Sequence, residues 1–197
     1  MLLHYLLFLL SLFGPALANT ITFISLDEHD RTIWSRHKPK CKAVETGICL
    51  NENLIDIKPF NVTGFAHYAI NIPLGWEGNF YATAAGNTDR TGMLAEIAWQ
   101  GFEKGQYFDV SAIENPGDHV GVKQLWPADD KKAEVSGCIS YPCPHVYYHP
   151  DDLQTKRATW DTNFWCTLGN ADLKKNPHLA RWHMVYNAEW ERWHPMS

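Results

Sequence analysis

Past its first eighteen residues, this 197-residue chain has no apolar run near the ~20 residues that a membrane-spanning helix requires. It is also short of positive charge. Its 17 lysines and arginines face 22 acids, for a formal charge of −5, so the basic surface that a phosphate backbone demands is missing and nucleic acid is not an expected partner. No serine sits in a G-x-S-x-G elbow, no cysteines are spaced C-x-x-C, and neither G-x-G-x-x-G nor G-x-x-x-x-G-K occurs. These absences remove the usual signatures of a serine hydrolase, a dithiol redox centre and a phosphate-cradling loop.

Metal spacing is missing too, despite 10 histidines. His145 and His149 are bracketed by Pro144 and Pro150, and Tyr147-Tyr148 favours extended chain between them. Four extended residues span ~13 Å, too far for one ion. His178 and His183 stand five apart, the wrong interval for adjacent helical positions. No metal and no cofactor is expected.

What is present begins with "MLLHYLLFLLSLFGPALA", an apolar run followed by Gly14, Pro15 and an Ala16-x-Ala18 pattern suited to signal peptidase. Residues 1–18 therefore read as a secretory signal peptide, leaving a chain outside the cytoplasm with no stable membrane insertion and with Asn19, not histidine, at its start. All five cysteines, Cys41, Cys49, Cys138, Cys143 and Cys166, follow the signal, where an oxidising compartment allows bridges. An odd count leaves one thiol unpaired. The expectation is a local Cys41 to Cys49 link and Cys166 tied to Cys138 or Cys143, although spacing alone does not choose among the arrangements. Asn61-Val62-Thr63 is an acceptor sequon for N-glycosylation in a loop-like stretch.

Runs rich in β-branched and aromatic residues recur between turn signals: "TITFISL", "RTIWSR", "FAHYAINI", "GNFYATA", "MLAEIAW", "QYFDVSAI" and "GVKQLW". Such spacing predicts an all-β antiparallel sandwich over residues 19–169, with 38–61 as an inserted loop. The remaining residues, 170–197, form a Trp-rich extension in which Leu179, Trp182, Tyr186 and Trp190 recur at helical intervals. This predicts a short amphipathic C-terminal helix after Pro177. Arg181 and Arg192 are offset there by Glu189 and Glu191, which weakens a membrane-surface role.

Acids interrupt two of the strands. Alternation places Leu94, Glu96 and Ala98 on one face and Ala95, Ile97 and Trp99 on the other, while Tyr107, Asp109 and Ser111 oppose Phe108 and Val110. Asp118 follows the breaker Asn115-Pro116-Gly117. Such acids serve either as caps and ion pairs or as carboxylates converging in a cleft, and Tyr81, Trp99 and Tyr107 are of the types that stack on sugar rings.

The stretch "GMLAEIAWQGFEKGQYFDVSAIENPGDHVGVKQLWP" resembles the core of thaumatin-like proteins, with a Leu-Ala-Glu strand, an aromatic-Asp-Val-Ser strand and a turn holding a further aspartate. "GWEGNFY" before it, and "SGCISYPCPHVYYHPDDLQTK" and "CTLGN" after it, are similar to the small secreted thaumatin-like proteins of filamentous fungi. That group is sometimes labelled DNase-like and includes germination-associated surface proteins. The likeness spans Thr20 to Arg36 and Phe65 to Asn170. It implies a thaumatin-like β-sandwich whose acidic groove is lined by Glu96, Asp109 and Asp118, with Tyr81, Trp99 and Tyr107 as the neighbouring aromatics noted above. The groove would bind cell-wall polysaccharide such as β-glucan, or a surface protein, without catalysis. The alternative is a weak endo-β-1,3-glucanase using Glu96, Asp109 and Asp118. A nuclease, as the DNase-like label suggests, would need clustered acids or histidines and a basic approach for phosphate, which are absent. Larger members of the family carry an arginine just after the aromatic strand; Thr83 stands there in this chain, and Arg90 is the nearest substitute. Nothing in the pattern fixes the oligomeric state.

Overall fold

The computed structural model describes residues 19–38, 57–73, 75–87, 92–99, 101–129, 134–152, 157–187 and 192–196. The expected signal peptide, Cys41, Cys49, Arg90, Trp190 and most of the 38–61 segment lie outside them. Thirteen strands follow in chain order: β1 (Asn19–Ser25), β2 (Arg31–His37), β3 (Phe60–Val62), β4 (His67–Ile72), β5 (Glu77–Ala84), β6 (Leu94–Ala98), β7 (Gln106–Ser111), β8 (Val122–Pro127), β9 (Ser136–Gly137), β10 (Arg157–Thr159), β11 (Asn163–Leu168), β12 (Met184–Asn187) and β13 (Arg192–Pro195). All seven runs that alternation marked as strands are strands.

Two sheets face each other, one of five strands in the order β4-β1-β11-β8-β9 and one of six in the order β10-β7-β6-β5-β2-β3. Pairing is antiparallel except between β1 and β11, which run parallel. The expected all-β sandwich is therefore the fold. Every second residue of β1, β5, β7 and β11 points inward, which brings Phe23, Phe80, Phe108 and Phe164 together with Trp76 and Trp99. Their rings touch in a chain: Phe23–Phe80 at 5.4 Å, Trp76–Phe80 at 4.9 Å, Trp76–Trp99 at 5.9 Å, Trp99–Phe164 at 5.6 Å and Phe108–Phe164 at 5.2 Å. Burying each contributes about 1.5–3 kcal/mol, so this aromatic seam is the main apolar bond between the sheets.

Three expectations need correction. Cys138 is bonded to Cys143 instead of to Cys166, which is a free, buried thiol. The inward alternation of β11 explains this: Cys166 sits in register between Phe23 and Leu125, inside the core, and burial pushes its thiol pKa up. The amphipathic helix is a six-residue 3-10 turn, Pro177–Trp182, after which β12 and β13 form a hairpin. Val185 and Tyr186 favour extended chain, and the apparent helical stripe is divided: Trp182 packs on Trp165, while Tyr186 faces Trp193 across the hairpin. Asn61 lies on the exposed edge strand β3 and not in a loop, with the Thr32 hydroxyl donating to its Oδ1 at 3.0 Å.

Candidate functional site

The outer face of the six-stranded sheet carries one transverse polar row. Arg36 on β2 pairs with Asn79 on β5, Asn79 with Glu96 on β6, and Glu96 with Asp109 on β7. Cross-strand neighbours of this kind have Cβ atoms about 4.5–5.5 Å apart, so register alone gathers four polar side chains that are widely separated in sequence. A groove of about 710 Å³ lies over this row, with Lys38, Glu77, Phe102 and Tyr107 along its flank. Close approach at its floor depends on Gly78, where a Cβ would collide with the Arg36 carbonyl and the Trp76 ring. At its end Gly101 does the same service, since a Cβ would come to 2.8 Å from the Tyr107 ring.

Charge in the groove is largely matched. Lys38 donates to Glu77 at 2.8 Å, which raises the lysine pKa. Arg36 holds Glu114 through both carboxylate oxygens and lies 4.7 Å from the centre of the Tyr81 ring. Glu96 and Asp109 differ, because the two acids face each other across β6 and β7. Burial pushes the Glu96 pKa up, as does Glu114, against the influence of Asn79, Asp109 and Lys38. Glu96 therefore keeps its proton more readily than a free glutamate does.

Of the six residues expected to line the groove, Glu96, Asp109 and Tyr107 do so. Asp118 does not. It accepts from the backbone N–H groups of Met93 at 2.9 Å, Val120 at 3.0 Å and Gly121 at 2.8 Å, which makes it the clasp of its own loop. Trp99 and Tyr81 are also removed as sugar platforms, being 0% and 1% exposed. Trp99 belongs to the aromatic seam, and Tyr81 lies beneath the Arg36 guanidinium. Thr83 is buried and accepts from the Trp34 indole at 3.0 Å. The cation of the row, Arg36, comes from β2.

Arg36, Lys38, Asn79 and Phe102 were missed by sequence reasoning. Alternation in "RTIWSR" and "GNFYATA" could have put Arg36 and Asn79 on outward faces, but not in register with Glu96. Among the described residues no group of three or more His, Cys, Asp or Glu is arranged to hold a metal ion.

No family model matches the chain. Among solved structures, the crystal structure of the protein elicitor MoHrip2 from Magnaporthe oryzae superposes with a TM-score of 0.52 at 10% identity, covering 77% of this chain and 99% of that one. This similarity supports the fold alone. The antigenic protein SchS21 of Stachybotrys chartarum is 41% identical over 150 residues, which is 76% of this chain and 94% of the relative. At that identity and coverage the chain belongs to the family of SchS21.

Proposed function

We propose that this is a secreted, thaumatin-like surface or wall protein that binds polysaccharide, with β-glucan as the first candidate, through the groove on the six-stranded sheet and without catalysing its hydrolysis. The observation that carries the reading is the row Arg36-Asn79-Glu96-Asp109 beneath an open groove walled by Tyr107. Carboxyl groups and the amide of Asn79 offer donors and acceptors to vicinal sugar hydroxyls, and an aromatic flank suits the apolar face of a pyranose. Secretion is supported by the apolar leader ending at Ala16-x-Ala18 and by the name of a relative known as an antigen.

Two-carboxylate glycoside hydrolysis needs its acids about 5 to 5.5 Å apart for retention or roughly 6.5 to 9.5 Å for inversion. Asp118 is committed to backbone N–H groups outside the groove, which supports binding over hydrolysis by the expected trio. The test is incubation of the purified mature protein with insoluble β-1,3-glucan, assaying pelleted protein and released reducing sugar. Pelleting without sugar release, lost in Glu96→Ala plus Asp109→Ala, is the expected result. Sugar release abolished in Glu96→Ala would instead make the protein a hydrolase, and unchanged pelleting of the double variant would remove the groove from the account.

A further inference from the structure

A second polar cavity lies on the other side of the sandwich, beneath the C-terminal extension. Gln124 on β8 reaches out of the five-stranded sheet and clasps the tail: its Nε2 donates to the Met184 carbonyl at 2.8 Å and its Oε1 accepts from the Met184 N–H at 3.0 Å. Beside the clasp, His183 and Lys123 both line a cavity of about 150 Å³, together with Ser140, Thr167 and Asn170. At ~30 Å³ per water, that is room for a handful of waters or one small polar ligand.

Both ionisable groups in this cavity are unusual. Lys123 is 3% exposed, yet its ammonium donates only to the His119 carbonyl at 2.9 Å and lies over the Tyr141 ring at 4.8 Å, with no carboxylate in ion-pair contact. Asp118 and Asp27 attract it and Arg31 repels it, all from beyond contact. Asp118 is spent on three backbone N–H groups and Asp27 on Arg31. A buried ammonium without a paired anion is costly. His183 is 4% exposed and its Nδ1 is a buried atom with no hydrogen-bond partner, while its backbone is fixed through Ala180 and Met196. Burial and the neighbouring Lys123 lower its pKa, so the neutral ring is free to place its proton on Nδ1.

A buried cation and an imidazole whose Nδ1 has no hydrogen-bond partner among the described residues line one polar cavity, and both ask for the same complement. We infer that this cavity is a binding site for a small oxyanion, a phosphate or a carboxylate, held between Lys123 of the sandwich and His183 of the tail. The anion supplies the missing counter-charge to Lys123 and an acceptor for His183, and the Thr167 hydroxyl, which already accepts from the Gln124 N–H at 3.1 Å, has its own proton to donate. Because one ligand grips both parts, occupancy fastens the tail to the sheet. This site is independent of the groove on the opposite face.

The test is thermal unfolding and calorimetric titration of the whole mature protein in sodium phosphate, sodium acetate and sodium chloride at matched ionic strength and neutral pH. Saturating oxyanion is expected to raise Tm by roughly 5 °C over chloride, and the arm that does so, phosphate or acetate, names the class. Lys123→Met should abolish both the shift and the heat of binding, whatever change its lost hydrogen bond to His119 makes to the melting point in chloride. His183→Phe should also abolish binding, and His183→Asn, which keeps an N–H near Nδ1, should retain part of it. No shift over chloride in either arm, or binding that persists in Lys123→Met, overturns the site.

Discussion

The two outer faces of the sandwich are built by the same period of two and put to opposite uses. On the six-stranded sheet the outward positions are Arg36, Asn79, Glu96 and Asp109, and the face stays open as a groove. On the five-stranded sheet they include Trp126 and Trp165, and here the tail folds back: Trp126, Trp165, Trp182 and His67 form a ladder of rings 5.9, 5.1 and 5.0 Å apart. Apolar outward residues need a cover, which the 3-10 turn and the β12-β13 hairpin supply. Polar outward residues need water or a ligand. A few side chains thus decide whether a face is covered or left open, with the backbone unchanged.

The largest effect that bears on this contrast is expected on the covered face. Trp165→Ala removes the middle rung, and a large-to-small change of this kind costs about 3 kcal/mol or more, or roughly 6–12 °C in Tm for a domain of this size. A variant melting like the wild type would show that the ladder does not anchor the tail. Gln124→Leu comes next: it leaves the N–H and C=O of Met184 without their side-chain partners, at about 1–3 kcal/mol. The loss should be local, with amide exchange at Met184 faster by tenfold or more while β1 and β11 exchange as before. Uniformly faster exchange would mean that tail and sandwich unfold as one unit. On the open face, Asp109→Asn keeps the shape but removes a carboxyl group, so stability at neutral pH should move by less than ~1 kcal/mol, whereas glucan retention should fall several-fold.

Much of this division was legible in the chain. Runs of β-branched and aromatic residues between turn signals located seven strands, and alternation placed Trp99 on the face opposite Glu96, so the burial of Trp99 follows from a pattern that choosing aromatics by type overrode. The same pattern in "NFWCTL" points Cys166 inward between Phe164 and Leu168; reading it only as a bridging cysteine hid both β11 and the free thiol. Register was not legible. Nothing local aligns Arg36 with Asn79 and Glu96 across β2, β5 and β6, because pairing is set by the whole sheet. The tail failed for a different reason: intervals of three and four residues fit a helix, but Trp182 found its partner on the sheet and Tyr186 found one across a hairpin, and tertiary packing outweighed periodicity.

The smallest effect is the most discriminating, because the faces should answer acid in opposite directions. Burial holds the Glu96 pKa above its ordinary 4.5. Its contribution to stability is therefore complete below about that pH and is lost as pH rises through the folded value. Burial and Lys123 hold the His183 pKa below its ordinary 6.5, so its contribution is complete above that value and is lost as pH falls through the folded one. Acidification from neutrality should loosen the tail, read as faster exchange at Met184, while the strands β6 and β7 under the groove become no less protected. Glu96→Gln should flatten the response of the groove strands alone, and His183→Asn that of the tail alone. If one substitution flattens both limbs, the two faces are electrostatically coupled through the core and the division between anchoring and recognition fails. If each flattens its own, the aromatic seam insulates them, as rings with no charge and little exposed polar surface between two titrating sites should.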